Sequence, residues 1–196
     1  MPLRKNVNLT SVNSLVSLDI SFLKLSFKRT AFSKGGLNMY PNWLVQRVKM
    51  TPNRLALTFE DKSWTFQQLF EEVMITAGNL KTAGIDHGTR IAILAPSHPQ
   101  LIMTIHACWQ LGCEVVLLNE RLSDEELAYQ ISDAQPTLVL VKESYKERIG
   151  TNKVLTLEEL SKITSFPINI EDEWPHSRTM SIMYTSGTTG RPKGVR

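Results

Sequence analysis

Residues 90–95 read RIAILA and residues 113–118 read CEVVLL, two short runs with hardly a polar side chain. A strand with one wet face alternates apolar and polar residues, whereas these runs have the composition of strands buried on both faces, which requires helices above and below the sheet. The neighbouring segments supply them. After Pro96 a helical pattern runs to Leu111, with Gly112 as its stop, and Ser123 and Glu126 have capping-box spacing for a helix through Ala134. A third apolar run follows at 137–141. Strand, helix, strand, helix, strand in this order predicts an α/β fold: a layered, largely parallel sheet with flanking helices and right-handed crossovers.

Upstream of that unit, Asn42 caps a short helix over 43–50 that ends before Thr51-Pro52. Leu55, Leu57 and Phe59 alternate as a strand, Asp61-Lys62 makes a turn, and residues 63–65 lead into a helix capped by Thr65 and Gln68. Leu69, Phe70, Val73, Ala77 and Leu80 form its apolar stripe, and Gly84 stops it. Thr156 and Glu159 cap one more short helix before a loop over 166–177, anchored by Trp174 and Pro175.

The first 38 residues differ from the rest. They hold six basic residues against Asp19 alone, leaving 16 basic and 18 acidic residues beyond. Residues 16–27 alternate as a strand would, which fits neither an amphipathic transit helix nor a secretory signal. The reading is an upstream extension, disordered or not native, with Met39 as the natural start. The remainder has no basic surface for nucleic acid, and no run approaches the roughly 18 apolar residues of a membrane helix. Cys108 and Cys113 read as small, reduced core residues, and their spacing is not a zinc pattern.

The stretch with the most chemistry is MYTSGTTGRPKGVR, residues 183–196. A strand over 179–184 feeds a loop with three glycines, four hydroxyl side chains, two cations and no apolar residue between 185 and 194. Such a loop is ordered by something outside itself. Gly187, Gly190 and Gly194 permit close backbone approach, Thr185, Ser186, Thr188 and Thr189 add hydroxyl donors, and Lys193, with Arg191, adds positive charge. This is the equipment of a polyphosphate clamp. It is not a Walker loop, because Lys193 stands between Pro192 and Gly194 rather than opening a helix, and no G-x-G-x-x-G is present.

Residues 184–194, YTSGTTGRPKG, resemble the signature loop of the adenylate-forming superfamily, which includes acyl- and aryl-CoA ligases, peptide-synthetase adenylation domains and luciferases. Residues 64–69 resemble its early T-[YF]-x-E-L element, with Gln68 in place of the usual acid, and residues 107–119 resemble the element that follows. PNWLVQR at 41–47, IHACWQLG at 105–112 and VLLN at 116–119 look most like the 2-succinylbenzoate–CoA ligase family of bacterial menaquinone biosynthesis.

The resemblance covers residues 39–196 and implies the N-terminal part of the large AMP-binding domain, truncated after the phosphate-binding loop. It implies an ATP-dependent ligase that joins a small-molecule carboxylic acid to coenzyme A through an acyl-adenylate, with Mg²⁺ and ATP as cofactors, in the cytoplasm. Thr185, Ser186, Gly187, Thr188, Thr189, Gly190 and Lys193 would contact the phosphates, Lys193 with the catalytic role; no residue is assigned to metal. A fatty-acyl-CoA ligase, a peptide-synthetase adenylation domain and a non-catalytic truncated product remain alternatives, and homo-oligomerisation stays open. The chain by itself is expected to be inactive, and its last strand to lack the partner that would complete a hairpin. His106 reads as a satisfied core histidine, residues 171–173 as a solvated acidic face, Tyr184 as the last core residue of its strand, and Arg121 as a surface residue near the Ser123 cap.

Overall fold

The computed structural model describes residues 39–150, 153–164, 166–185 and 192–196, so the upstream extension expected over 1–38 lies outside the described residues. β1 (Met39–Pro41) leads into α1 (Trp43–Met50), whose N-cap Asn42 accepts the Val45 N–H. Asn42 is fully buried, and its amide nitrogen donates to Gln110 Oε1 at 2.7 Å and to the Glu171 carbonyl at 3.0 Å. β2 (Leu55–Phe59) and β3 (Lys62–Thr65) form an antiparallel hairpin. Its turn falls on Glu60-Asp61, not Asp61-Lys62, because Lys62 already pairs with Phe59 and Glu60 takes the left-handed region at φ 51°. A register shift between Leu55 and Leu57 also breaks the expected alternation and leaves Leu55 exposed.

α2 (Phe66–Thr82) carries both halves of the Thr65–Gln68 capping box, and its expected apolar stripe is buried throughout. β4 (Arg90–Leu94) and α3 (Pro99–Gln110) follow. The helix starts later than the pattern after Pro96 suggested, because His98 caps it by accepting the Gln100 N–H at 3.2 Å and Pro99 takes the first turn. β5 (Glu114–Leu117), α4 (Asp124–Ala134) and β6 (Leu138–Val141) complete the expected alternation, with the Ser123–Glu126 box in place. A 3-10 helix, Glu143–Arg148, precedes β7 (Val154–Thr156) and the capped α5 (Leu157–Leu160). The chain then reaches β8 (Glu173–Pro175), β9 (Ser181–Thr185) and β10 (Lys193–Val195).

Six strands form the main sheet in the order β10-β9-β5-β4-β6-β7. β9, β5, β4, β6 and β7 are parallel neighbours, and β10 runs antiparallel to β9 at the edge. Alternate residues of the central strands feed two cores, as burial on both faces demands. Ile91, Ile93, Val115 and Leu140 pack with Leu69, Val73 and Leu80 of α2 and with Ala107 and Cys108 of α3. Ala92, Leu94, Val116, Val139 and Ile182 pack on the other side with Leu127 and Ala134 of α4. A separate ladder joins β1 to β8, with Tyr40 opposite Trp174, so the anchoring role expected of Trp174 is met by a buried strand residue.

The β10 pairing corrects the expectation that the last strand has no partner. Lys193, Gly194 and Val195 pair with Thr185, Tyr184 and Met183, so the chain closes its own hairpin.

Candidate functional site

In open α/β sheets ligands bind beyond the carboxyl ends of the strands, where successive crossovers leave in opposite directions. Here β4 sits between β5 and β6, so the chain crosses to β5 under α3 and returns past β4 to β6 under α4. A cavity of about 330 Å³ opens at that point, lined by Ala95, Ser97, Leu101, Leu117, Asn119 and Arg121 among others. The Asn119 side chain accepts the Arg121 N–H at 3.0 Å and shapes its β5 side. Arg121, read as a surface residue, is therefore a wall of the cavity as well.

β9 lies beside β5 and ends at Thr185 on the same edge of the sheet. Thr185 and Lys193 are direct cross-strand partners, so their side chains share one face, together with the exposed pair Met183 and Val195. Register carries that face to Leu117 and Ile93, the strand residues that line the cavity. A hydroxyl and an ammonium thus stand side by side where the β9–β10 ladder ends, on the cavity's side of the sheet. Thr185 and Gly194, read as loop residues, are strand residues, because the ladder extends one residue past Tyr184 on β9 and includes Gly194 on β10. Ser186, Gly187, Thr188, Thr189 and Gly190, with Arg191, lie outside the described residues.

The opposite face of the hairpin is packed. The Tyr184 hydroxyl donates to Asp133 Oδ2 at 2.6 Å, and burial, helped by that carboxylate, pushes its pKa well above the usual phenol value. The Tyr129 hydroxyl donates to the Pro192 carbonyl at 3.3 Å. A Cβ on Gly194 would stand 3.0 Å from Ile182 Cγ2 and 3.4 Å from Tyr184 Cζ, so glycine lets β10 lie against the Tyr184 ring. Tyr184 ends the packed face of β9 but not the strand, which continues to Thr185.

Away from this edge the tempting residues have structural surroundings. His106 is buried edge-on between Trp43 and Trp109, yet among the described residues its Nδ1 has no hydrogen-bond partner, so the expected satisfied histidine is packed without being fully paired there. Both cysteines are buried and free, and burial raises the Cys113 thiol to about 12. Within the acidic run, Asp172 pairs with Lys49 at 3.0 Å and Glu171 stands 3.8 Å from Arg178.

The family profile of the AMP-binding enzymes matches residues 44–196. A curated 2-succinylbenzoate–CoA ligase of Bacillus pumilus is 39% identical over 157 residues, which is 79% of this chain and 32% of that protein. The Bacillus subtilis enzyme of the same name is 38% identical over 162 residues. The chain spans about a third of the length of these relatives. Among solved structures, O-succinylbenzoate coenzyme A synthetase from Bacillus subtilis in complex with AMP superposes with a TM-score of 0.76 at 37% identity, covering 80% of this chain and 42% of that one. The same enzyme with ATP and magnesium gives 0.75 at 35% identity, covering 80% and 43%. A largely parallel sheet under flanking helices, and a profile that spans it together with the glycine- and hydroxyl-rich sequence after β9, make the chain a member of the AMP-binding enzyme family, with the fold of the adenylate-forming N-terminal domain.

Proposed function

We propose that residues 39–196 are the N-terminal part of the AMP-binding domain of an acid–CoA ligase acting on 2-succinylbenzoate, and that residues 1–38 are an upstream extension. The observation that carries this reading is the cross-strand pair Thr185 and Lys193 at the mouth of the glycine-rich turn, on the face that also lines the cavity between β4 and β5. In the proposed reaction the acid's carboxylate oxygen attacks the α-phosphorus of ATP and pyrophosphate leaves; the CoA thiol then displaces AMP from the acyl-adenylate. Two anions meet in the first half, so the protein's task there is charge neutralisation and alignment. Thr185, Ser186, Gly187, Thr188, Thr189 and Gly190 hold the phosphates, and the Lys193 ammonium neutralises the departing pyrophosphate.

The Bacillus subtilis relative is named as a complex with ATP and magnesium ion; bound with ATP here, Mg²⁺ would add charge neutralisation. Among the described residues no group of three or more His, Cys, Asp or Glu side chains is placed to hold a metal ion, so no step is assigned to it here. Among the described residues no helix is long and apolar enough to cross a membrane.

The test is acid-dependent release of AMP and pyrophosphate from a panel of carboxylic acids, measured on the 196-residue chain and on the gene product with any downstream reading frame included. Turnover with 2-succinylbenzoate and CoA supports the reading; turnover only with fatty or amino acids removes the substrate and leaves the family. In the active protein Lys193→Ala is expected to slow adenylation about a hundredfold, on the scale of one lost charge-stabilising donor, and thiolation far less. Equal loss in both half-reactions would refute the role given to Lys193.

A further inference from the structure

The signature stretch ends at its own strands, but the side chains that fasten those strands come from elsewhere. Tyr129 and Asp133 stand four residues apart on α4 and so share one face, a single turn apart. Asp133 accepts the hydroxyl of Tyr184, the residue just before Thr185; Tyr129 donates to the carbonyl of Pro192, the residue just before Lys193. One tie thus holds β9 at the strand residue just before the cross-strand pair, the other holds the residue that leads into β10 just beyond that pair, and both run to the same helix. The ties lie on the face opposite Thr185 and Lys193, so they touch the hairpin without entering the ligand's side. α4 is itself fixed, by its Ser123–Glu126 capping box and by Leu127 and Ala134 buried in the core.

We infer that Tyr129 and Asp133 are positioning residues for polyphosphate binding: they clamp β9 and the entry to β10 to α4 and so hold Thr185 and Lys193 in place beforehand. The inference rests on the phosphate-binding role proposed for the turn. Binding costs conformational entropy for every group it must fix, so each strand residue held beforehand lowers that cost. Anion binding is sensitive to such preorganisation because backbone and hydroxyl donors act together only when aimed at one point. Tyr184 remains a donor throughout the working pH range, since its burial and the Asp133 carboxylate both favour the protonated phenol. The close fit of Gly194 over the Tyr184 ring completes the clamp, because a bulkier residue would push the ring from its place beneath β10.

The experiment is calorimetric titration of ATP into the full chain, with melting temperature recorded for every variant. Tyr129→Phe and Tyr184→Phe each remove one hydroxyl and no packing volume. Their double variant is expected to weaken ATP binding about tenfold with a melting temperature close to wild type. Asp133→Leu should follow Tyr184→Phe, and Asp133→Asn, which keeps an acceptor, should recover most of the binding lost in Asp133→Leu. ATP binding unchanged in the double variant overturns the clamp while leaving the proposed function standing. Binding that falls only in proportion to lost melting temperature, with no recovery in Asp133→Asn, also overturns it, because the contacts then serve stability alone. A wild-type chain that binds no ATP overturns the phosphate-loop reading and the clamp with it.

Discussion

His106 is 6% exposed, with the rings of Trp43 and Trp109 edge-on at 4.9 and 4.8 Å. Burial lowers its pKa from 6.5 to about 4. Below pH 6.5 the unfolded chain gains a proton that the folded chain refuses until about pH 4, so the stability held by the neutral ring is complete above 6.5 and lost as the pH falls through 4. The full loss is about 3 kcal/mol. Urea unfolding of wild type and His106→Leu between pH 7.5 and 4 should therefore show a steeper decline for wild type; parallel curves would remove this account. Gly194 makes a different demand, for space. Gly194→Ala must move Ile182 or Tyr184 and is expected to cost about 1–3 kcal/mol, read from the same unfolding curves.

At the scale of the element, Asn42 does more than cap α1. Its buried amide joins that helix to Gln110 at the end of α3 and to the Glu171 carbonyl before β8. Asn42→Ala removes the cap and strands Gln110, so chemical denaturation should show a loss of about 2–4 kcal/mol, where a cap alone is worth ~1. The cap was legible in the sequence, and so were the boxes at Thr65, Ser123 and Thr156, because each depends on residues only three apart. The parallel sheet was legible for a related reason: runs such as 90–95 are long enough to lack alternation visibly. β1, β7 and β8 were not, since three residues carry no period and their pairing is decided by partners far along the chain. The donor-rich turn announced itself by composition. Tyr129 and Asp133 did not, because nothing in a helix sequence records that one of its faces meets a hairpin more than 50 residues away.

For the whole molecule, a ligand that binds only the folded chain must stabilise it by mass action. ATP at a hundred times its dissociation constant should add about 2.7 kcal/mol of stability. A melting temperature that does not rise under those conditions contradicts binding at the turn. The edge proposed to receive the ligand is built from one antiparallel pair added to an otherwise parallel sheet. Because Thr185 and Lys193 are ladder partners, the gap between their backbones is set by the ladder itself, at about 5 Å between Cα atoms, and not by either side chain. Gate width and gate charge are consequently independent variables. On the proposed phosphate-binding role, exchanging either residue retunes which anions are admitted while the gateposts stay where they are.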